Sequence, residues 1–291
     1  MKIATILHGG LGDQLLANRF TPAIIDCFDV EKIDIVRPYL NYYDEHNDLE
    51  TLNFIKSNFY KFYNEIKFCK ITNASNTSNY IDKCPKIQNE FEDSNQYDKI
   101  YNFIPDNLNF LNYNELQINK YYNFFPTPHV KIDDIKINNY IYFSPAAREN
   151  QHSLHKFPLD FAKKIVDTFN GKHKLICPVS KNNFFLKDYC EKIGVETYEC
   201  DLYQMLAFAK NCKMAICCDS GPKFFPMHFD KPVFIITGFF DQNGPNYHFL
   251  VRWLLNKKNI FPMNIDPRIL LNATDIICSN IQTRLNINFL T

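Results

Sequence analysis

Three short segments set chemically capable side chains beside backbone that a ligand could approach closely. The first is His8-Gly9-Gly10-Leu11-Gly12-Asp13-Gln14. Gly10 and Gly12 allow a tight turn at the end of an opening strand, the place where open α/β sheets bind ligands. A helix starting behind that turn offers free N–H groups and a positive dipole end. Asp13 reads in two ways, as a helix N-cap or as a carboxylate able to take a proton from an attacking hydroxyl. The second segment is Cys217-Cys218-Asp219-Ser220-Gly221-Pro222, again between an apolar run and a helix. Its Asp, Ser and Gly suit hydroxyl groups and let backbone amides meet a phosphate, and a capped βα turn is the plainer alternative. The third runs from Ser144 to Pro158, SPAARENQHSLHKFP, and gathers Arg148, His152, His155 and Lys156 in a polar loop. Cations there could neutralise a leaving diphosphate, and no acidic residue has the spacing to complete a metal site with the histidines.

The glycine spacing excludes two common nucleotide sites. A dinucleotide fingerprint needs glycine where Leu15 stands, and no Gly-Lys-Ser/Thr follows as a P-loop would require.

Short apolar runs alternating with helical patterns are what a parallel α/β architecture needs to position such turns. Lys2–His8, Ile33–Val36 and Tyr97–Phe103 read as strands, and Asp13–Phe28 reads as a helix that Pro22 kinks or stops. Residues 41–95 are polar and Asn-rich, and their elements cannot be ordered from the pattern. Pro126-Thr127-Pro128 and the polar stretch to Asn139 form the linker candidate. Beyond it, strands are expected at 140–143, 174–179, 195–200, 214–218 and 233–237. The helices between them lie at 158–169, 183–193 and 202–211. A further helix from about Lys223 would be interrupted by Pro226, and Asn272–Leu285 reads as the last helix. The expected division is residues 1–130 as one Rossmann-like domain and 131–270 as a second. Residues 271–291 form a final helix expected to pack back toward the first domain.

Composition narrows the classes. The 291 residues carry 32 basic and 32 acidic side chains, so the basic excess of most phosphate-neutralising nucleic-acid proteins is absent and no nucleic-acid partner is expected. With 46% hydrophobic and 22% charged residues the chain has the balance of a folded globular protein. The abundance of Phe, Tyr, Asn, Lys and Ile reads as coding bias, not as an aromatic binding surface. No apolar run reaches the ~20 residues that span a bilayer, and Gly-Gly interrupts the N-terminus before a signal-peptide core forms. Ten cysteines without a framework spacing read as free thiols in a reducing compartment, so a cytoplasmic location is expected, with peripheral membrane contact left open.

Taken in order, these segments resemble glycosyltransferase family 9, the ADP-heptose:lipopolysaccharide heptosyltransferases and their relatives. Gly10, Gly12, Asp13, Thr21, Pro22 and Ala23 match the family's opening strand, Gly-x-Gly-Asp turn and helix carrying Thr-Pro-Ala. Ser144-Pro145-Ala146-Ala147 and Lys156-Phe157-Pro158 resemble its middle segment. Asp219, Ser220, Gly221, Pro232, Val233 and Gly238 fall in the order of its C-terminal motif, and Asp241 and Pro245 echo the segment beyond. The chain departs where Phe224 stands for the usual His, with His228 one turn later, and where Phe157 stands for Trp. Residues 40–130 contribute nothing to the match.

The resemblance implies a GT-B fold, two Rossmann-like domains with parallel sheets facing a cleft. It implies an inverting glycosyl transfer that needs no metal and no cofactor beyond a nucleoside-diphosphate sugar as donor substrate, with a glycan or glycolipid as acceptor. Asp13 would be the base, with Gly10, Gly12 and Gln14 on the acceptor side. Ser144, Ala146, Arg148, Lys156, Asp219, Ser220, Gly221 and Gly238 would serve the donor. Two other readings stay open: a catalytically inactive nucleotide-sugar or glycan binder on the same fold, motivated by Phe224, and another group transfer such as polysaccharide pyruvylation.

Overall fold

The computed structural model describes residues 1–7, 11–18, 21–39, 45–59, 61–70, 96–102, 127–129, 135–137, 139–146, 156–237, 259–264 and 270–288. The chain forms two compact units, Met1–Lys131 and Ile132–Thr291. Each is organised by a parallel sheet.

In the first unit, β1 (Ile3–Ile6) is buried at every residue, as a strand covered on both faces must be. It leads to α1 (Leu11–Asn18) and α2 (Thr21–Phe28), then β2 (Ile33–Tyr39), α3 (Glu45–Asn58), β3 (Tyr63–Lys70) and β4 (Lys99–Asn102). The sheet order is β3-β2-β1-β4, with Ala4 beside Asp34 of β2 on one side and Ile100 of β4 on the other. Ala4, Ile6 and Val36 form a buried apolar cluster, and Tyr97 and Ile100 pack against it.

The second unit carries β5 (Tyr140–Ser144), α4 (Leu159–Phe169), β6 (Lys174–Val179), α5 (Phe184–Ile193) and β7 (Glu196–Glu199). It continues through α6 (Leu202–Asn211), β8 (Met214–Cys217), the one-turn α7 (Phe224–Met227), β9 (Val233–Thr237), β10 (Ile260–Asn264) and α8 (Leu270–Asn288). The strands are ordered β10-β9-β8-β5-β6-β7. Its helices show why they form. In α4, Phe161, Ala162, Ile165, Val166 and Phe169 recur at helical spacing and all are buried. Asn183 caps α5 by accepting from the Leu186 N–H at 3.1 Å, and Gly194 ends it at φ 76°, a left-handed conformation suited to glycine. Asp201 and Gln204 form a capping box at the start of α6.

Four expectations change in detail. The single kinked helix at 13–28 is two helices, and the first begins at Leu11. Continuing it through Pro22 would set the proline ring against the Asn18 carbonyl four residues back, so α1 ends at Asn18 and Pro22 takes the second position of a new helix. Tyr63 ties the two together: its buried hydroxyl donates to Asn18 Oδ1 at 2.5 Å and lies 2.8 Å from Thr21 Oγ1. The unordered stretch at 41–95 supplies α3 and β3. Pro262 lies within β10, an edge strand where a missing N–H is tolerated, and periodicity did not reveal that strand. The final helix is longer than expected and belongs to the second unit. There Ile277, Cys278 and Ile281 join the core, and Asp275 meets Lys164 of α4 at 2.8 Å.

The eight cysteines whose side chains are described are free thiols. Only Cys27 is exposed.

Candidate donor site at the strand ends

The order of the second sheet marks a candidate ligand crevice without reference to any motif. From β5 the chain proceeds outward through β6 and β7, then returns to the other side of β5 for β8, β9 and β10. The β5–β8 boundary is therefore a topological switch point, where the loops leaving two neighbouring strands diverge and open a crevice at their carboxyl ends. Ser144 ends β5 beside Cys217, the last residue of β8. The Cys218 N–H donates to the Ser144 carbonyl at 2.8 Å, so the two exits are joined one residue past the strands.

Ala146 and Lys156 form an isolated antiparallel bridge, closing the loop between them. The Phe157 N–H holds that closure by donating to the Pro145 carbonyl at 2.8 Å. Below it, the Phe157 ring is buried edge-on against Phe161, and its carbonyl accepts from the Tyr189 hydroxyl at 2.6 Å. Lys156 is half-buried with its ammonium 4.9 Å from the Phe185 ring centre and 5.8 Å from that of Tyr189, a cation–π shelf provided by α5.

Across the switch point, Asp219 is 3% exposed and Ser220 6% exposed. Asp219 Oδ1 meets Lys223 Nζ at 2.5 Å, and Lys223 is itself only 4% exposed. The residues between them form a short 3-10 turn, Gly221–Lys223, that runs directly into α7. Phe224 is buried, with its ring centre 4.5 Å from the Lys223 ammonium. The Ser220 hydroxyl makes no hydrogen bond of normal geometry among the described residues, and the Cys218 thiol lies beside it. Burial pushes the Cys218 thiol up to about 12, so it stays protonated at neutral pH.

Ser144, Ala146, Lys156, Asp219, Ser220 and Gly221 thus gather around one pair of strand ends. Arg148, Gly238 and Gly10 lie outside the described residues. Gly12, Asp13 and Gln14 occupy the first turn of α1 in the first unit, on the carboxyl side of β1, which is the central strand at that sheet's own switch point. Asp13 is accordingly the third helical residue and not an N-cap; its side chain is outside the described residues. Gln14 is buried. Lys223 is the residue that reading the sequence passed over. Its signal was the Asp-to-Lys spacing of four, short enough for the two side chains to meet around a single turn.

Two parallel α/β units in one chain, each with a switch point at its strand ends, are the elements of the GT-B fold. By sequence alone, the chain matches no family model and no curated protein. By structure it is similar to E. coli ADP-heptose LPS heptosyltransferase II, with a TM-score of 0.63, 11% identity and 99% of each chain covered. It is likewise similar to E. coli heptosyltransferase WaaC with ADP-2-deoxy-2-fluoro heptose, with a TM-score of 0.61, 12% identity, and 98% of this chain and 100% of that one covered. A structure of S. aureus MnaA with UDP matches at a TM-score of 0.52 and 13% identity, covering 94% of this chain and 87% of the other. The fold is that of these proteins, and the resemblance read from the motifs falls on the same architecture. Because the neighbours hold different nucleotides, the fold by itself selects no base.

Among the described residues no helix is long and apolar enough to cross a membrane.

Proposed function

We propose that this chain is an inverting, metal-independent glycosyltransferase that moves a sugar from a nucleoside-diphosphate sugar to a glycan or glycolipid. The observation that carries the reading is the convergence of Ser144, Ala146, Lys156 and the Asp219-Ser220-Gly221 turn on the switch point of the second sheet. Those residues come from three separated stretches of sequence, and they are the ones the heptosyltransferase-like motifs single out.

In this reading the second unit holds the donor and the first presents the acceptor. The acceptor hydroxyl attacks the anomeric carbon while its proton passes to Asp13. The bond from that carbon to the diphosphate oxygen breaks, and the electron pair leaves with the phosphate. Lys156 and Arg148 meet the developing charge, and so do amides near Ser220-Gly221. This is electrostatic stabilisation by cations and amides, so the mechanism needs no metal. The buried free thiols favour a reducing compartment and hence a cytoplasmic enzyme.

Phe224 supports a second reading, a nucleotide-sugar or glycan binder without turnover, because its ring is committed to the core beside Lys223.

A thermal-shift screen against ADP-, GDP-, UDP-, CMP- and dTDP-sugars with EDTA present tests both. A donor at 100 times its dissociation constant stabilises by about 2.7 kcal/mol. One responding donor class with turnover on a matching acceptor supports the transferase, and Asp13→Ala then abolishes transfer while retaining the shift. Binding without turnover across broad acceptor panels selects the binder. Folded protein that responds to no nucleotide overturns the transferase and the nucleotide-sugar binder, and a shift with glycans alone then selects the glycan binder.

A further inference from the structure

Lysine is rarely buried unless paired, because its ammonium is strongly hydrated and its stem loses much rotamer freedom. Lys223 is 4% exposed in a loop at the mouth of the candidate donor site, which is an unusual place to hide a charge. Its ammonium is fixed from two sides, by Asp219 Oδ1 at 2.5 Å and by the Phe224 ring at 4.5 Å. Asp219 and Lys223 are the only charged residues from Cys217 to Phe225. The segment therefore carries a net charge of zero, with its one carboxylate cancelled from within. Between them in sequence, Ser220 carries a buried hydroxyl that makes no hydrogen bond of normal geometry among the described residues and has the Cys218 thiol beside it.

A bare carboxylate at this position would repel a diphosphate, and like charges brought together on binding are strongly unfavourable. A neutral loop whose hydroxyl is not committed to a strong hydrogen bond has the opposite character, because the hydroxyl can donate to a phosphate oxygen. We infer that Lys223 is a positioning residue whose task is to neutralise Asp219 and hold its turn, making the loop receptive to the diphosphate of a nucleotide. This rests on the donor-site reading above and adds the element that gives that loop its charge selectivity.

Calorimetric titration of wild type, Lys223→Met and Asp219→Asn/Lys223→Met with the mono- and diphosphates of adenosine, guanosine, uridine, cytidine and thymidine tests it. Wild type is measured first; if it binds none of them, the donor-site reading fails and this inference with it. Given wild-type binding, Lys223→Met should weaken the diphosphate by about tenfold or more, through the exposed like charge. The monophosphate should lose less, since repulsion scales with ligand charge, whereas a packing defect would weaken both alike. The double variant replaces the pair with neutral groups of similar size, a change that is often tolerated. It should recover to within about threefold of wild type although the lysine is still missing. Unchanged binding by Lys223→Met overturns the inference, as does equal loss for mono- and diphosphates. A double variant as weak as the single one also overturns it, since the lysine would then be touching the ligand itself. Should Lys223→Met fail to fold, the double variant decides alone: near-wild-type affinity supports neutralisation, and a tenfold loss refutes it.

Discussion

Truncating Phe157 to alanine separates the packing beneath the donor loop from the backbone bonds that close it. The Phe157 ring is fully buried, edge-on to Phe161 at 5.3 Å between centres and tilted against Phe143 at 6.2 Å. Its N–H to the Pro145 carbonyl and its carbonyl from the Tyr189 hydroxyl are main-chain groups that alanine keeps. The loss is therefore one of packing. A buried Phe→Ala costs about 3–5 kcal/mol, of which the two ring contacts contribute about 0.5–1.5 kcal/mol each beyond their buried area. Because two compact units need not unfold together, a global melting curve would blur the effect. Hydrogen exchange resolved by peptide reads it locally. At about 1.4 kcal/mol per decade, protection of the most stable amides in α4 and β5 should fall by roughly two to three decades. Those of β1 and β2 in the first unit should be unchanged. Nucleotide affinity should fall as well, since the segment carrying Lys156 loses the ring that anchors it in the core. Loss of less than about 1 kcal/mol in α4 and β5 would refute the argument, because it would mean the site had collapsed around alanine or that Phe157 was never holding the loop.

Three further outcomes follow from local chemistry. Tyr63→Phe leaves Asn18 and Thr21 without their shared hydroxyl, so exchange protection in α1 and α2 should drop by the equivalent of about 1–3 kcal/mol. Among the eight cysteines with described side chains, alkylation mapped by mass spectrometry at pH 8 should modify Cys27 first. Cys200, Cys212 and Cys218, which burial pushes up to about 12, should react only after denaturation. His173 titrates below its ordinary 6.5 because burial disfavours its charged form, helped by Lys213 and Lys172. The unfolded chain then binds the proton first as pH falls, so this group's contribution is whole above 6.5 and declines through the acid side. His173→Gln should flatten the dependence of melting temperature on pH below that point. An acid limb as steep as wild type would remove His173 as its source.

What could be read from the sequence is what local chemistry determines. The apolar run at 140–143 is a buried strand wherever it is placed, and Asn183, Gly194 and Asp201 mark helix ends because their hydrogen bonds reach only a few residues. The order of the Gly-rich, Ser-Pro-Ala and Asp-Ser-Gly segments carried the resemblance. The Asn-rich stretch at 41–95 gave no such signal, although it holds α3 and β3, because those elements are set by packing against neighbours more than by their own periodicity. Nor did Pro262 read as strand, since only the sheet reveals that β10 is an edge. The candidate donor site belongs to tertiary structure. Residues 144, 156 and 219 meet because β5 pairs with β8 across about seventy residues of chain, a choice of strand order that no local spacing encodes. Lys223 shows the same division at the scale of one side chain. Its spacing from Asp219 was legible, whereas its burial, which makes the charge consequential, arises only when the chain on either side folds over it.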